Sequence, residues 1–464
     1  MAACGVDHSA AVDEDGTLWT WGRGSEGQLG HGDAKSRDRP TRVHANANAF
    51  DSKVFMVSLG GLHSAAVLDS GHLLTWGYGE DGALGVPKPY RPGFRDFNEK
   101  QTLMSPTKVP KSSLGGAAAK MISCGLGYTA CVNAGGALYM WGLGRYGVLG
   151  QDNERDHRFP QLVSPDGLAG TRVELVSCGH FHIAAVVEGG GTFSWGYGGF
   201  GALGLGHKNN QSLPARIVAL KGCRVVLVAA GEAHTLAATA DGQLYSWGQG
   251  ERGRLGLGHE EEQLTPSLIA ALHFSSEPVV SAAAGGGHSA AVVGAGKLFI
   301  WGKNQGLGRI TEDASPACGE DTGRVRFSDA LFPVCVGAES MGNELVRQVA
   351  AGTNHSMAVT ASGRVWTWGL NSEARLGVGD DQNRNTPALL AFDPLHTRIG
   401  RFRRLTEHFC IAFAMGTHDR LGSASSVLHL AALPELVQML VESCRSWPPA
   451  DPRDQGLIKL LGGA

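Results

Sequence analysis

The chain has 464 residues and a net charge of −3, so nothing in its overall electrostatics draws it to nucleic acid or to an anionic membrane. Its 68 glycines are about twice the usual ~7 % share, and charged residues make up only 18 % of the chain against 42 % hydrophobic. That balance excludes a disordered linker and implies a large core joined by many tight turns.

The N-terminal Met-Ala-Ala-Cys-Gly-Val-Asp has no basic stretch leading into an apolar run, so no signal peptide is expected. The longest uncharged stretch, 278–296, is interrupted by Gly285-Gly-Gly-His288 and makes a poor membrane span. The nine cysteines (Cys4, Cys124, Cys131, Cys178, Cys223, Cys318, Cys335, Cys410, Cys444) are odd in number and contain no Cys-x-x-Cys. They read as buried thiols of a reducing compartment, which places the protein in the cytoplasm, with the nucleus not excluded.

From Gly5 onward the chain repeats itself. Trp-Gly recurs at Trp21, Trp76, Trp141, Trp195, Trp247, Trp301 and Trp368, at spacings of 55, 65, 54, 52, 54 and 67 residues. Thirteen residues before each Trp stands His8, His63, Tyr128, His182, His234, His288 or His355, and three before that a glycine. Eight residues after the Trp comes Leu-Gly, except in copy six, where the pair starts early, at Leu307.

Within each copy, segments such as Thr17–Trp21 and Gln243–Trp247 alternate as half-buried strands do. Upstream runs such as Ser64–Leu68 and Ser289–Val293 are short, apolar and small-sided, suited to a crowded inner strand. The pairs Ser70-Gly71, Gly135-Gly136, Asp241-Gly242 and Ala295-Gly296 supply hairpin turns between them. Two further strands fit the variable stretch, for example around 215–219 and 224–229. Four strands per unit of about 50 residues, seven times over, predict a seven-bladed β-propeller.

The pattern Gly-x-x-His-(Ser/Thr)-x-Ala … Gly-x-Leu-x-x-Trp-Gly-x-Gly-x-x-Gly-x-Leu-Gly resembles the repeat of the regulator of chromosome condensation (RCC1) family, over residues 3 to about 380. Its departures are Tyr128, the shortened copy six, and Val365 for Leu in copy seven. The expected fold is an all-β, RCC1-like seven-bladed propeller over 1–406, with a short helical extension over 407–464. Because the chain enters at Ala3-Cys-Gly5, Thr386–Phe392 and 400–405 are expected to pair with the N-terminal segment in a shared blade that closes the ring. Residues 408–422 read either as part of the tail or as a vestigial eighth copy, with Met415-Gly416 in place of Trp-Gly. Leu430–Arg445 carries an amphipathic stripe (Leu433, Leu436, Val437, Leu440, Val441), a helix for the propeller's own surface or for a partner's groove.

No cofactor, metal site or catalytic set is expected. Five copies spell Gly-x-Gly-x-x-Gly, starting at Gly22, Gly77, Gly142, Gly196 and Gly248. A dinucleotide site needs that loop to open a helix, and here Leu-Gly and another loop follow. Histidines fifty residues apart lack metal-ligand spacing. They are expected to be half-buried rings bonding backbone between blades, and the seven tryptophans to be blade-wall material.

Function then rests on binding other proteins, within a large assembly of the cytoskeletal, ciliary or ubiquitin-ligase sort that the resemblance implies. Candidate contact residues break the repeat inside fixed turns: Arg23, Tyr146, Phe200, Arg252 and Arg375, with His180 and Phe181 before the histidine of copy four. The alternative implied by the family's namesake is guanine-nucleotide exchange on a Ran-like small GTPase, with the insertions 86–120 and 308–347 as places for a wedge. A third family activity, ultraviolet sensing, needs a Gly-Trp-Arg-His-Thr slot. Here the slots read Gly60-Gly-Leu-His-Ser and Gly231-Glu-Ala-His-Thr. Nucleic-acid binding and membrane insertion are not expected.

Overall fold

The computed structural model describes residues 1–392 apart from 45–48, 80, 88–101, 169 and 304–328. Seven four-stranded antiparallel sheets follow one another along the chain, spanning 2–42, 54–109, 119–162, 173–216, 225–269, 279–335 and 346–389, each with its strands in sequence order. These are blades one to seven of the expected propeller. Among the described residues no helix is long and apolar enough to cross a membrane.

In each blade the first strand lines the central channel and ends at the repeat glycine. The second strand starts at the repeat histidine (Tyr128 in blade three), the third ends at Trp-Gly, and the fourth forms the circumference. Antiparallel alternation therefore puts the Gly-x-x-His turns and the loops after Trp-Gly on one face, here the upper. The Asp-Gly-type hairpins and the crossovers between blades lie on the lower face.

The alternation in Leu18–Gly22 promises one exposed side, yet all five residues are buried. Neighbouring blades cover both faces of the strand, so its alternate residues serve two different neighbours. The small side chains of His63–Leu68 have the same cause, since a second strand walled on both sides has no room for bulk. The repeat tryptophans are all 0 % exposed. Each following glycine has φ between 96° and 111° (Gly22 96°, Gly142 106°, Gly369 111°). A Cβ on Gly142 would also lie 2.5 Å from the Gly127 carbonyl, so the Trp-Gly pairing is demanded by backbone.

Each fourth strand carries a proline (Pro40, Pro106, Pro160, Pro214, Pro266, Pro333, Pro387). The ladder to the third strand shifts register there, as between Thr20↔Thr41 and Gly22↔Arg37. Proline is tolerated at such an edge bulge because no ladder donor is lost, and it blunts the exposed edge.

Ring closure differs from the expected shared blade. Ala2–Cys4 is the inner strand of a blade whose other three strands come next in the chain. Arg384–Leu389 is the fourth strand of blade seven, paired Trp366↔Leu389 and Thr367↔Ala388. Among the described residues the seam is made mainly by side chains, with one backbone bond from the Gly379 N–H to the Asp38 carbonyl (2.8 Å). The Gln348 amide exchanges hydrogen bonds with Ala2, donating to its carbonyl (3.1 Å) and accepting from its N–H (3.2 Å). Phe392 packs edge-on against Trp19 and Trp21 at 5.6 and 6.4 Å, much as Phe274 of an ordinary crossover packs on Phe299 and Trp301. One more strand pairing is unnecessary where seven wedge-shaped sheets already close. The 400–405 strand, residues 408–422 and the helix over Leu430–Arg445 lie outside the described residues.

Candidate functional site

The upper face is built on a ring of inter-blade hydrogen bonds. Each repeat histidine extends Nε2 to the hydroxyl that follows the histidine of the next blade: His8 to Ser64 (2.9 Å), His63 to Thr129 (2.9 Å), His182 to Thr235 (2.8 Å), His234 to Ser289 (2.8 Å), His288 to Ser356 (2.8 Å) and, across the seam, His355 to Ser9 (2.9 Å). Five of those hydroxyls (of Ser64, Thr129, Thr235, Ser289 and Ser9) donate onward to a carbonyl seven residues after the preceding blade's Trp, as Ser64 does to Gln28 (2.8 Å) and Ser9 to Arg375 (2.8 Å). A hydroxyl that donates its only proton must accept from the ring, so these imidazoles carry a proton on Nε2, and burial, which penalises the imidazolium, keeps the rings neutral. The same carbonyls take the indole N–H of the repeat tryptophan, Trp76 on Gln28 (2.8 Å) and Trp21 on Arg375 (3.0 Å). Burial lowers the ring pKa values, to about 3 for His8 and about 4 for His63, His182 and His288. The expected half-buried rings bonding backbone are therefore corrected on both counts.

Blade three departs from this scheme in a matched way. The hydroxyl position of blade four is Ile183, which offers no acceptor, and the histidine position of blade three is Tyr128. Its longer side chain reaches past Ile183, and its hydroxyl lies against the Gly179 (2.9 Å) and His182 (3.0 Å) carbonyls. Tyr128 thus pins the 179–182 turn, which carries His180 and Phe181.

Four of the seven contact residues expected from the sequence come together there or beside it. Tyr146 meets Phe181 edge-on at 5.4 Å and Tyr197 at 4.8 Å, and Tyr197 reaches Phe200 at 6.5 Å. Phe200 is exposed, the other three rings half-buried. The Arg145 guanidinium lies 4.7 Å over the Tyr146 ring. His180 stands at the channel mouth 4.0 Å from Glu232, its pKa lowered by burial and opposed by that carboxylate. Tyr146 and Phe200 hold left-handed backbone, φ 62° and 60°, within one-turn 3-10 segments (Arg145–Gly147, Gly199–Gly201). No dinucleotide-binding helix opens from these glycine loops.

The remaining three candidates lie elsewhere. Arg23 on blade one pairs with Asp7 (3.5 Å) and donates to Ser25 (2.9 Å). Arg252 on blade five pairs with Asp329 (3.3 Å). Arg375 is no surface residue, being only 4 % exposed. It pairs with Asp7 (2.8 Å) and donates to the Val6 carbonyl (3.1 Å), riveting blade seven to blade one. A varying slot here faces a neighbouring blade, as Arg254 does with its bond to the Gly286 carbonyl (2.9 Å).

Tyr197 was missed although it shares the slot of Arg23, two residues after Trp, because Tyr78 stands in that slot too and a tyrosine there does not break the repeat. Cys124, Cys131 and Cys178 are buried free thiols whose pKa burial raises. Cys335 is exposed on the outer strand of blade six. Among the described residues no three His, Cys, Asp or Glu side chains group as a metal site would require.

Fold and upper-face ring together define a propeller of seven blades cross-linked through its repeat residues. The description "RCC1-like domain" matches residues 1–291, and the RCC1 repeat matches 346–374 and 362–400. The chain belongs to the RCC1-like family. It is 32 % identical over 397 residues to the ultraviolet-B receptor UVR8 of Arabidopsis thaliana, covering 84 % of this chain and 81 % of that protein. It is 30 % identical over 425 residues to the human E3 ubiquitin-protein ligase HERC2, covering 90 % of this chain but only 8 % of HERC2. Among solved structures, yeast Prp20p superposes with a TM-score of 0.68 at 24 % identity, covering 84 % of this chain and 87 % of that one. Human WBSCR16 gives 0.66 at 22 %, covering 81 % and 94 %. At those identities the two likenesses concern the fold.

Proposed function

We propose that this protein is a non-catalytic protein-interaction platform that presents its upper face to a partner within a larger assembly. The observation that carries this reading is the aromatic shelf Tyr146–Phe181–Tyr197–Phe200. Large rings half-exposed on loops, over a buried hydrogen-bonded ring, have the composition of a binding hot spot on a rigid support. The six repeat imidazoles are consumed by that support. They are buried, neutral and bonded to hydroxyls, so they are poor general acids or bases near pH 7. Relatives in the family lend support. Prp20p has been crystallised with attention to its binding of Gsp1p and histones, and in complex with Kap60, so that protein binds several others.

The test is proximity labelling with the full chain in its native cell, comparing wild type with a Tyr146→Gly/Phe200→Gly variant. A set of neighbours lost in the variant is expected. Recovery dominated by a nucleotide-free small GTPase, together with accelerated nucleotide release in a stopped-flow assay, would replace the platform by an exchange factor.

A further inference from the structure

The shelf has a charge pattern of its own. Arg145 is exposed and stacked on Tyr146, and the backbone of Arg155 lies against Gly144, where a Cβ would meet the Arg155 carbonyl at 2.0 Å. Among the described residues neither guanidinium has a carboxylate within ion-pair distance. Two carboxylates of the same loop are already engaged, one with the loop and one with blade four, while Glu154 is exposed beside Arg155. Asp156 accepts the Gly144 N–H (2.8 Å), and Asp152 accepts from the Ser212 hydroxyl (3.0 Å). Several arginines elsewhere on this face are internally paired: Arg23 and Arg375 with Asp7, Arg252 with Asp329, and Arg37 with Asp33. The shelf is thus a place on the described upper face where aromatic rings adjoin a guanidinium that has no carboxylate partner.

Two further features show the rings held in place. Tyr146 and Phe200 keep left-handed backbone that only glycine adopts without strain, and strain of this kind persists where surrounding structure fixes it. Tyr128, through its bonds to the Gly179 and His182 carbonyls, fixes the turn that bears Phe181. Blade three's exception to the histidine rule therefore sits under the shelf.

We propose that the shelf on blades three and four is the docking surface for an extended acidic segment of a partner protein, with apolar side chains on the four rings and carboxylates on Arg145 and Arg155. This rests on the platform reading and specifies its site and the partner's chemistry.

The left-handed backbone gives a clean test. Tyr146→Gly and Phe200→Gly relieve strain rather than add it, so the double variant keeps its fold and its melting temperature while losing the rings. A phage-displayed library of random dodecapeptides is panned on the full chain, and recovered peptides are titrated by fluorescence anisotropy at two salt concentrations. The recovered pool should be rich in Asp and Glu. Binding should weaken at least about tenfold in Y146G/F200G and in Arg145→Glu, weaken with salt, and be unchanged in Arg252→Glu on the next blade. A pool without acidic enrichment, or affinities indifferent to the shelf variants, overturns the proposal. Peptides lost only on substitution at another part of the upper face overturn the shelf and leave the platform standing. The absence of any binder on any face overturns both. A concentration-dependent dimer abolished by Y146G/F200G would replace the acidic segment by a second copy of this chain.

Discussion

Lowering the pH from 7.5 to 5 perturbs the buried histidine ring selectively. His63, His182 and His288 hold their protons off until about pH 4, and His8 until about 3, because burial penalises the imidazolium. In the unfolded chain the same rings titrate near 6.5. A depressed folded-state pKa means that stability is fully present above about 6.5 and is lost as pH falls toward the folded value, since only the unfolded chain takes up protons in that window. At pH 5 the difference is about 2 kcal/mol per ring. These four together lose on the order of 8 kcal/mol, comparable with the whole ~5–15 kcal/mol of a typical domain. His234 and His355 are shifted in the same direction and for the same first cause. Urea unfolding followed by tryptophan fluorescence at pH 7.5, 6.5, 6 and 5 should show the midpoint falling steeply below 6.5 with little change in the denaturant slope. His63→Gln, whose amide can still donate to Thr129, should reduce the proton uptake on unfolding by about one. A midpoint that stays level down to pH 5 would refute the assignment of these rings as neutral and buried.

Three further outcomes follow from the geometry. Tyr128→His alone should destabilise the protein by about 1–3 kcal/mol, because the shorter ring faces Ile183 with no acceptor. Adding Ile183→Thr should restore the rule of the other blades, and a double-mutant cycle read by chemical denaturation should give a favourable coupling of about 1–2 kcal/mol. Gly142→Ala, at φ 106° and with a Cβ 2.5 Å from the Gly127 carbonyl, should cost about 3 kcal/mol or more, seen as a lowered melting temperature. Phe392→Ala should cost about 3–5 kcal/mol. Hydrogen exchange should quicken first in Ala2–Cys4 and His8–Val12, and equal loss of protection in blade four would contradict its role as the seam's plug.

The seven blades were legible because Trp-Gly and Gly-x-x-His mark backbone requirements that recur in every copy. The contacts between copies were less so. The hydroxyl after each histidine stands in the repeat pattern, yet its partner is the histidine of the preceding copy, a pairing that a single copy cannot reveal. One signal existed: Tyr128 and Ile183 break adjacent copies in complementary ways. Arg375 was misread because variability was taken for exposure, whereas that slot packs against the next blade and tolerates whatever the neighbour can satisfy. Tyr146, Phe181 and Phe200 could be singled out as exceptions, but not as neighbours, since 54 residues separate Tyr146 from Phe200. The outer prolines had a signal too, five of them standing nineteen residues after their Trp. The seam was misjudged by assuming that closure needs strand pairing, when Gln348, Arg375 and Phe392 achieve it mainly with side chains.

The row of prolines has a consequence for how any partner must approach. An exposed outer strand is normally an invitation to β-augmentation, in which a guest peptide extends the host sheet and main-chain hydrogen bonds supply the affinity. A proline in a bulge on each of seven edges withdraws that invitation around the full circumference. Recognition is left to side chains on the loops, where a few substitutions retune the guest without disturbing the host. The same edges also leave little risk that one propeller will stitch itself to the next.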